Sequence, residues 1–249
     1  GSRLRSGATN YATTWNFSRG DAEFAKTPWA ALTRSGLGTR VNSSGLIESV
    51  SIPRIDHDPV TLAARGLLVE GQDTEKIGLT ESISNAGWLK VNSPTIIANV
   101  GIAPDGTLSA DSIQNVSGVA FRYVARTVTV PTNSTQVASV FVRKESSTIE
   151  HGGIAMDFQG GTRRLCYIAI NQITGQAAVL SGSTISATII VEDFDDYWRL
   201  SALATDTGAN TSCSLYFYAN ISPDLVLLTT AGAGSARVIW GLNLCSSFG

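Results

Sequence analysis

Cys213-Ser214-Leu215-Tyr216-Phe217-Tyr218-Ala219-Asn220-Ile221 is the stretch on which the reading of this 249-residue chain turns. Cys213, Leu215, Phe217, Ala219 and Ile221 alternate with Ser214, Tyr216, Tyr218 and Asn220. Successive side chains of a strand leave on opposite faces, so a period of two predicts one buried and one outward face. The same period recurs at 137–144, where Ala138, Val140 and Val142 oppose Val137, Ser139, Phe141 and Arg143. At 237–244, Val238, Trp240, Leu242 and Leu244 alternate with Arg237, Ile239, Gly241 and Asn243. Further strands are predicted over residues 119–130, 154–158, 164–171, 177–180, 188–192 and 198–204. Turn-forming residues fill the gaps, among them Gly160-Gly161, Thr174-Gly175 and Ser222-Pro223-Asp224. Many short strands without a long helical period predict an all-β fold, a two-sheet antiparallel jelly-roll sandwich with an irregular N-terminal extension. The predicted division is a leader at residues 1–75 and the sandwich at 76–249, with 71–80 as the joint. Within the leader, a short strand at 15–17 and single helical turns at 21–26 and 29–32 are further expectations.

Composition narrows the function. Charged residues make up 15% of the chain, against roughly 25% in an ordinary soluble protein. Uncharged polar residues take their place, as on extracellular and virion surfaces that face water or sugar. The net charge is −2 and no basic cluster stands out, so no nucleic-acid partner is expected. No apolar run approaches the ~20 residues that span a bilayer, so no membrane insertion is expected. The opening Gly1-Ser2-Arg3-Leu4-Arg5 lacks the apolar segment of a secretory signal. Cys166, Cys213 and Cys245 are odd in number and far apart. They fit neither a zinc site nor a disulfide framework. Buried free thiols and assembly in a reducing compartment are expected.

Candidate chemistry is sparse. His57 lies between Asp56 and Asp58, and His151 precedes Gly152-Gly153. In an extended segment Asp56 and Asp58 share a face and His57 takes the other, which favours pairing of the acids with Arg54, Arg65 or backbone amides over metal binding. The G-x-S-x-G elbow is absent. Glu192-Asp193-Phe194-Asp195-Asp196 lacks the calcium-loop pattern and the spacing of a glycosidase pair; a solvated turn before Trp198 is expected, with a structural calcium as the alternative. No catalytic residue, metal or cofactor is predicted.

A sugar-binding face is the sharper expectation. Sugars offer C–H faces to aromatic rings and hydroxyls to planar polar groups. Tyr216, Tyr218 and Asn220 stand on the non-core phase of one strand, and Tyr167 and Asn171 on another. The other reading of these tyrosines is a sheet surface or a contact with a neighbouring subunit. Trp88 follows a glycine and reads equally as a core lid or a binding platform. Trp198 and Trp240 lie on apolar phases and read as core.

The segment Ile52-Pro53-Arg54-Ile55-Asp56-His57-Asp58-Pro59-Val60, leading to Arg65-Gly66-Leu67-Leu68-Val69-Glu70, reads as a pre-shaped docking element. Its prolines fix φ and extend the residues before them. Together with Thr39-Arg40-Val41-Asn42, Gly45-Leu46-Ile47-Glu48 and the later Asn85-Ala86-Gly87-Trp88, it resembles the leader of tailed-phage virion appendage proteins. These are fibres, spikes or capsid appendages that carry a concanavalin A-like, carbohydrate-binding jelly roll. The resemblance spans roughly residues 33–245. It implies a non-enzymatic virion protein, assembled in the host cytoplasm, that binds host cell-surface glycan and other virion proteins. Arg54, Asp56, Asp58 and Arg65 would belong to the docking leader. A purely structural subunit and a polysaccharide depolymerase are the alternatives. Low charge and many strand edges also imply a homo-oligomer, with a trimer plausible for such appendages.

Overall fold

In a computed structural model, the structure describes residues 38–51, 54–68, 76–77, 82–115, 121–146, 151–222, 224–226 and 236–246. The elements expected at 15–17, 21–26 and 29–32 lie outside these residues. The chain divides into two compact units, residues 1–69 and 70–249.

In the first unit, β1 (Gly38–Val41) pairs with β2 (Ile47–Val50), and β3 (Ile55–His57) pairs with β4 (Ala64–Leu67), both antiparallel. The described part of the leader thus forms two hairpins, and its motif residues lock one to the other. The Asp56 carboxylate accepts the Val41 amide at 2.8 Å, and an Arg54 guanidinium nitrogen donates to the Thr39 carbonyl at 3.0 Å. Arg40 forms an ion pair with Glu48 at 2.7 Å. Asn42 turns the first hairpin by accepting the Ser44 and Leu46 amides. Gly45 sits there at φ +79°, where a Cβ would lie 2.6 Å from the Pro59 carbonyl, so only glycine fits.

The second unit is the expected sandwich. Its front sheet has the order β12-β11-β10-β15-β8-β5. These strands are β5 (Leu89–Val91), β8 (Tyr123–Thr129), β10 (His151–Gln159), β11 (Arg164–Ile170), β12 (Ala177–Val179) and β15 (Ser212–Ser222). The back sheet has the order β13-β14-β9-β16-β7-β6, built from β6 (Thr95–Ile102), β7 (Leu108–Gln114), β9 (Thr135–Arg143), β13 (Thr188–Phe194), β14 (Tyr197–Thr205) and β16 (Ala236–Ser246). Neighbouring strands are antiparallel throughout. The predicted phases hold for β9 and β15. Ile154, Met156 and Phe158 of β10 and Cys213, Leu215 and Phe217 of β15 meet Ala138, Val140 and Val142 of β9 in one core. Ile77 belongs to the same cluster, and the Lys76 amide donates to the Leu244 carbonyl at 2.9 Å.

Trp198 packs on the core as expected and donates its indole N–H to the Gln172 carbonyl at 3.0 Å. Trp240 does not enter the core. A bulge in β16 between Trp240 and Asn243 places Ile239 and Leu242 both inward. Val238 and Trp240 therefore face out, and Trp240 rests against Phe141 with ring centroids 5.5 Å apart. Gly241 carries the bulge at φ +63°.

Candidate functional site

The outward face of the front sheet is built in rows fixed by strand register. One row runs Tyr167, Ala155, Tyr216, Ala125 across β11, β10, β15 and β8. The next runs Ala169, Gly153, Tyr218, Tyr123. Residues without bulk alternate with tyrosines, which leaves room for the rings to lie down over the sheet. Ala155 and Ala169 are fully covered, and Tyr218 is 4% exposed. Tyr123 lies 4.7 Å from Tyr218 and 5.0 Å from Tyr216, centroid to centroid. Tyr167 meets Tyr218 edge-on at 6.3 Å and Phe121 does so at 5.8 Å. Tyr218 is thus the buried hub, ringed by half-exposed Phe121, Tyr123, Tyr167 and Tyr216.

A polar row borders the aromatic ones. Asp157 is opposite Leu165 on one side and Ser214 on the other, and Ser214 is opposite Thr127. The Tyr216 hydroxyl donates to Asp157 Oδ2 at 2.8 Å, and the Arg163 guanidinium grips both oxygens of the same carboxylate, at 2.8 and 2.7 Å. Gln159 Nε2 adds a fourth donor at 2.7 Å. Burial, first of all, raises the phenol pKa of Tyr123, Tyr167, Tyr216 and Tyr218 above the ordinary value. The face therefore stays phenolic at neutral pH, offering ring faces and neutral hydroxyls.

Of the residues expected from sequence, Tyr167, Tyr216 and Tyr218 come together here. Trp88 does not: it is 1% exposed and sits in the sandwich core, so of its two readings the structure has the core lid. Asn220 is 2% exposed, so its amide is not on the open face. Asn171 caps the turn after β11 by accepting the Ile173 and Thr174 amides. Phe121, Tyr123, Asp157 and Arg163 were missed. Tyr123 shares a phase with Ala125, Thr127 and Thr129, which marks an outward face; Arg126 on the opposite phase hid the alternation, its guanidinium leaving toward the Gly87 carbonyl at 2.7 Å.

The leader candidates serve the first unit. Arg54 is 9% exposed and spans to β1, and Asp56 holds the Val41 amide. Asp58 accepts the Val60 and Thr61 amides and pairs with Arg65 at 2.9 Å. Those hydrogen bonds, the Thr61 amide first, hold its carboxyl below the ordinary range. His57 is buried with Nδ1 3.3 Å from the Val41 carbonyl. The acidic run ends β13 in a hairpin, with Asp195 at φ +55°, Asp193 paired to Lys144 and Glu192 to Arg199. Among the described residues no group of three or more His, Cys, Asp or Glu side chains is placed to hold a metal.

No protein-family model matches the chain, and no curated protein matches it. Among solved structures, the chain is similar to the CBM22-1 xylan-binding domain of Paenibacillus barcinonensis Xyn10C, at 12% identity and TM-score 0.42, covering 73% of this chain and 99% of that one. It is also similar to the carbohydrate-binding module TmCBM27, described for specific mannan recognition, at 12% identity and TM-score 0.36, covering 72% and 98%. A third likeness is to the enzymatically active domain of tailspike protein 4 of bacteriophage CBA120, at 10% identity and TM-score 0.37, covering 67% of this chain and 20% of that one.

Proposed function

We propose that this protein is a non-enzymatic phage virion component, a fibre, spike or capsid appendage, whose sandwich binds host-surface glycan. The carrying observation is the outward tyrosine face, where half-exposed Tyr123, Tyr167 and Tyr216 surround a buried hub and a polar row closes one side. Aromatic rings with a polar handle suit a ligand that is apolar on its ring faces and polar at its rim. The absence of catalysis is supported by the engagement of three candidate groups elsewhere: His57 with a backbone carbonyl, Asp193 with Lys144 and Glu192 with Arg199. The virion assignment rests on the leader resemblance.

Isothermal titration of the full chain against host polysaccharides tests the glycan site. Tyr167→Ala and Tyr123→Ala should each weaken binding by about 2 kcal/mol, roughly thirtyfold, as for an aromatic anchor, with the melting temperature little changed. Affinity that survives both substitutions would remove the site from this face.

Protein docking is favoured for the first unit by a separate observation. Leu46, Val60 and Leu62 are 38, 49 and 47% exposed there, a concentration of apolar surface that a partner would cover. Introducing Val60→Asp with Leu62→Asp should strip the protein from particles and leave glycan affinity intact; particles that retain it refute the docking role. Self-association into a homo-oligomer is part of the same proposal, checked by light scattering of the purified chain.

A further inference from the structure

The charge class of the glycan can be read from the polar row, given the tyrosine face as its platform. Asp157 lies on β10 in the outward phase, yet it is fully buried. Arg163 Nε holds one of its oxygens, while Arg163 Nη2, Gln159 Nε2 and the Tyr216 hydroxyl converge on the other. Four donors thus hold the carboxylate, three on one oxygen and one on the other, and no part of it reaches solvent. Asp157 is therefore an anchor that its burial closes to a ligand.

Arg163 is its counterpart. Its side chain is 63% exposed, although its bonding partner is 0% exposed. A guanidinium has five N–H groups, and two of them are spent on Asp157. Among the described residues the remainder meet no acceptor, on an exposed side chain whose guanidinium plane is fixed by the bidentate bond. The long side chain is thus ordered before any ligand arrives, which removes much of the entropy cost of using it. It stands beside the rings as well. Its Nη2 and the Tyr216 hydroxyl share one Asp157 oxygen, and its charge is felt at the Tyr123 and Tyr167 phenols. The other polar side chains of that row, Ser214 and Thr127, are uncharged, as is Gln159 in the row beside it. The face therefore presents a pre-oriented cationic edge without a competing exposed acid beside it in the row.

We infer that the tyrosine face selects an acidic polysaccharide, with a sugar carboxylate taken by the outward edge of Arg163 while sugar rings lie on Tyr167 and Tyr216. A planar fork matches a carboxylate in two parallel hydrogen bonds, which a lysine cannot reproduce. Neutral sugars would gain the rings and lose this contact.

Affinity electrophoresis and titration of the full chain against polygalacturonate, alginate and hyaluronate, each beside its carboxyl-reduced form, provide the test. At least one acidic form should bind about tenfold or more tighter than its reduced partner, the effect of a hydrogen bond between charged groups. That preference should fall steeply between about 50 and 500 mM salt, as for an exposed charge pair. Arg163→Gln should abolish the preference and Arg163→Lys should restore only a small part of it, with thermal melts confirming that both variants fold. If neutral xylans, mannans or glucans bind through Tyr167 and no acidic form is preferred, the inference is overturned and the platform stands. Silence toward both series overturns the platform as well.

Discussion

Gly153 and Asp157, four residues apart on β10, show how much of the face depends on single side chains. A Cβ at Gly153 would lie 2.1 Å from the Ile168 carbonyl oxygen and 3.0 Å from the Ala169 Cα. These are backbone atoms that cannot rotate away, so Gly153→Ala should cost about 3 kcal/mol, the upper end of overpacking, read from urea unfolding. Asp157→Ala leaves Gln159 and the Tyr216 hydroxyl without their acceptor and frees Arg163. A loss of about 2–3 kcal/mol is expected, moderated because Arg163 can turn to water. Asp58 offers a pH test in the first unit. Its folded carboxyl is depressed by the Thr61 and Val60 amides and by Arg65. Its contribution is therefore complete above the unfolded carboxylate range and fades as pH falls toward the depressed folded value. The penalty of Asp58→Ala, measured by denaturant unfolding, should be larger at pH 7 than at pH 2. An equal penalty at both would show that the charge is not what matters.

At the scale of elements, β16 is the instructive case. Val238-Ile239-Trp240-Gly241-Leu242 is apolar at nearly every position, so its hydrophobic pattern fits either phase. The bulge resolves it, sending Ile239 and Leu242 inward and Trp240 out. Gly241 at φ +63° has Phe141 Cδ2 3.3 Å from where a Cβ would stand. Gly241→Ala should destabilise the sandwich by about 1–2 kcal/mol through its left-handed backbone, visible as a lower melting temperature. If it is neutral, the bulge tolerates a side chain and the assigned reason for glycine is wrong. By contrast β15 alternates strictly from Cys213 to Tyr218, and its core face was legible from the sequence. β5, β6 and β7 were not assigned in advance. β5 is only three residues long, and β6 keeps Ile97 and Ile102 exposed at 53 and 59% along the sheet edge, so its apolar residues do not mark an inward face. The leader was legible as a stiff, Pro-bounded segment, but its hairpins depend on Asp56, Arg54 and Arg40 reaching across about fifteen positions of chain.

For the molecule as a whole, the core cluster lies entirely between Ile77 and Leu244, so residues 70–249 should unfold cooperatively when produced without the first unit. A non-cooperative melt of that fragment would mean that the sandwich needs the leader to fold. The thiols report on the same core. Cys166, Cys213 and Cys245 are free and buried, and burial pushes the Cys166 thiol up to about 11 and raises Cys213 as well. Thiolate is the reacting form, so an aromatic disulfide reagent should label none of them quickly in the native protein and all three after unfolding.

From the residues alone came the all-β class, the inward phases of β9 and β15 and the tyrosines of β11 and β15, because a period of two is a local property that survives in one dimension. The tertiary structure alone decided which outward residues become neighbours. Tyr216 reaches Asp157 across 59 positions, Tyr123 arrives from β8, and Arg163 folds back over a hairpin to the same carboxylate. Strand order and register bring those groups onto one face, and both are set by non-local pairing and by bulges that leave little trace in the alternation.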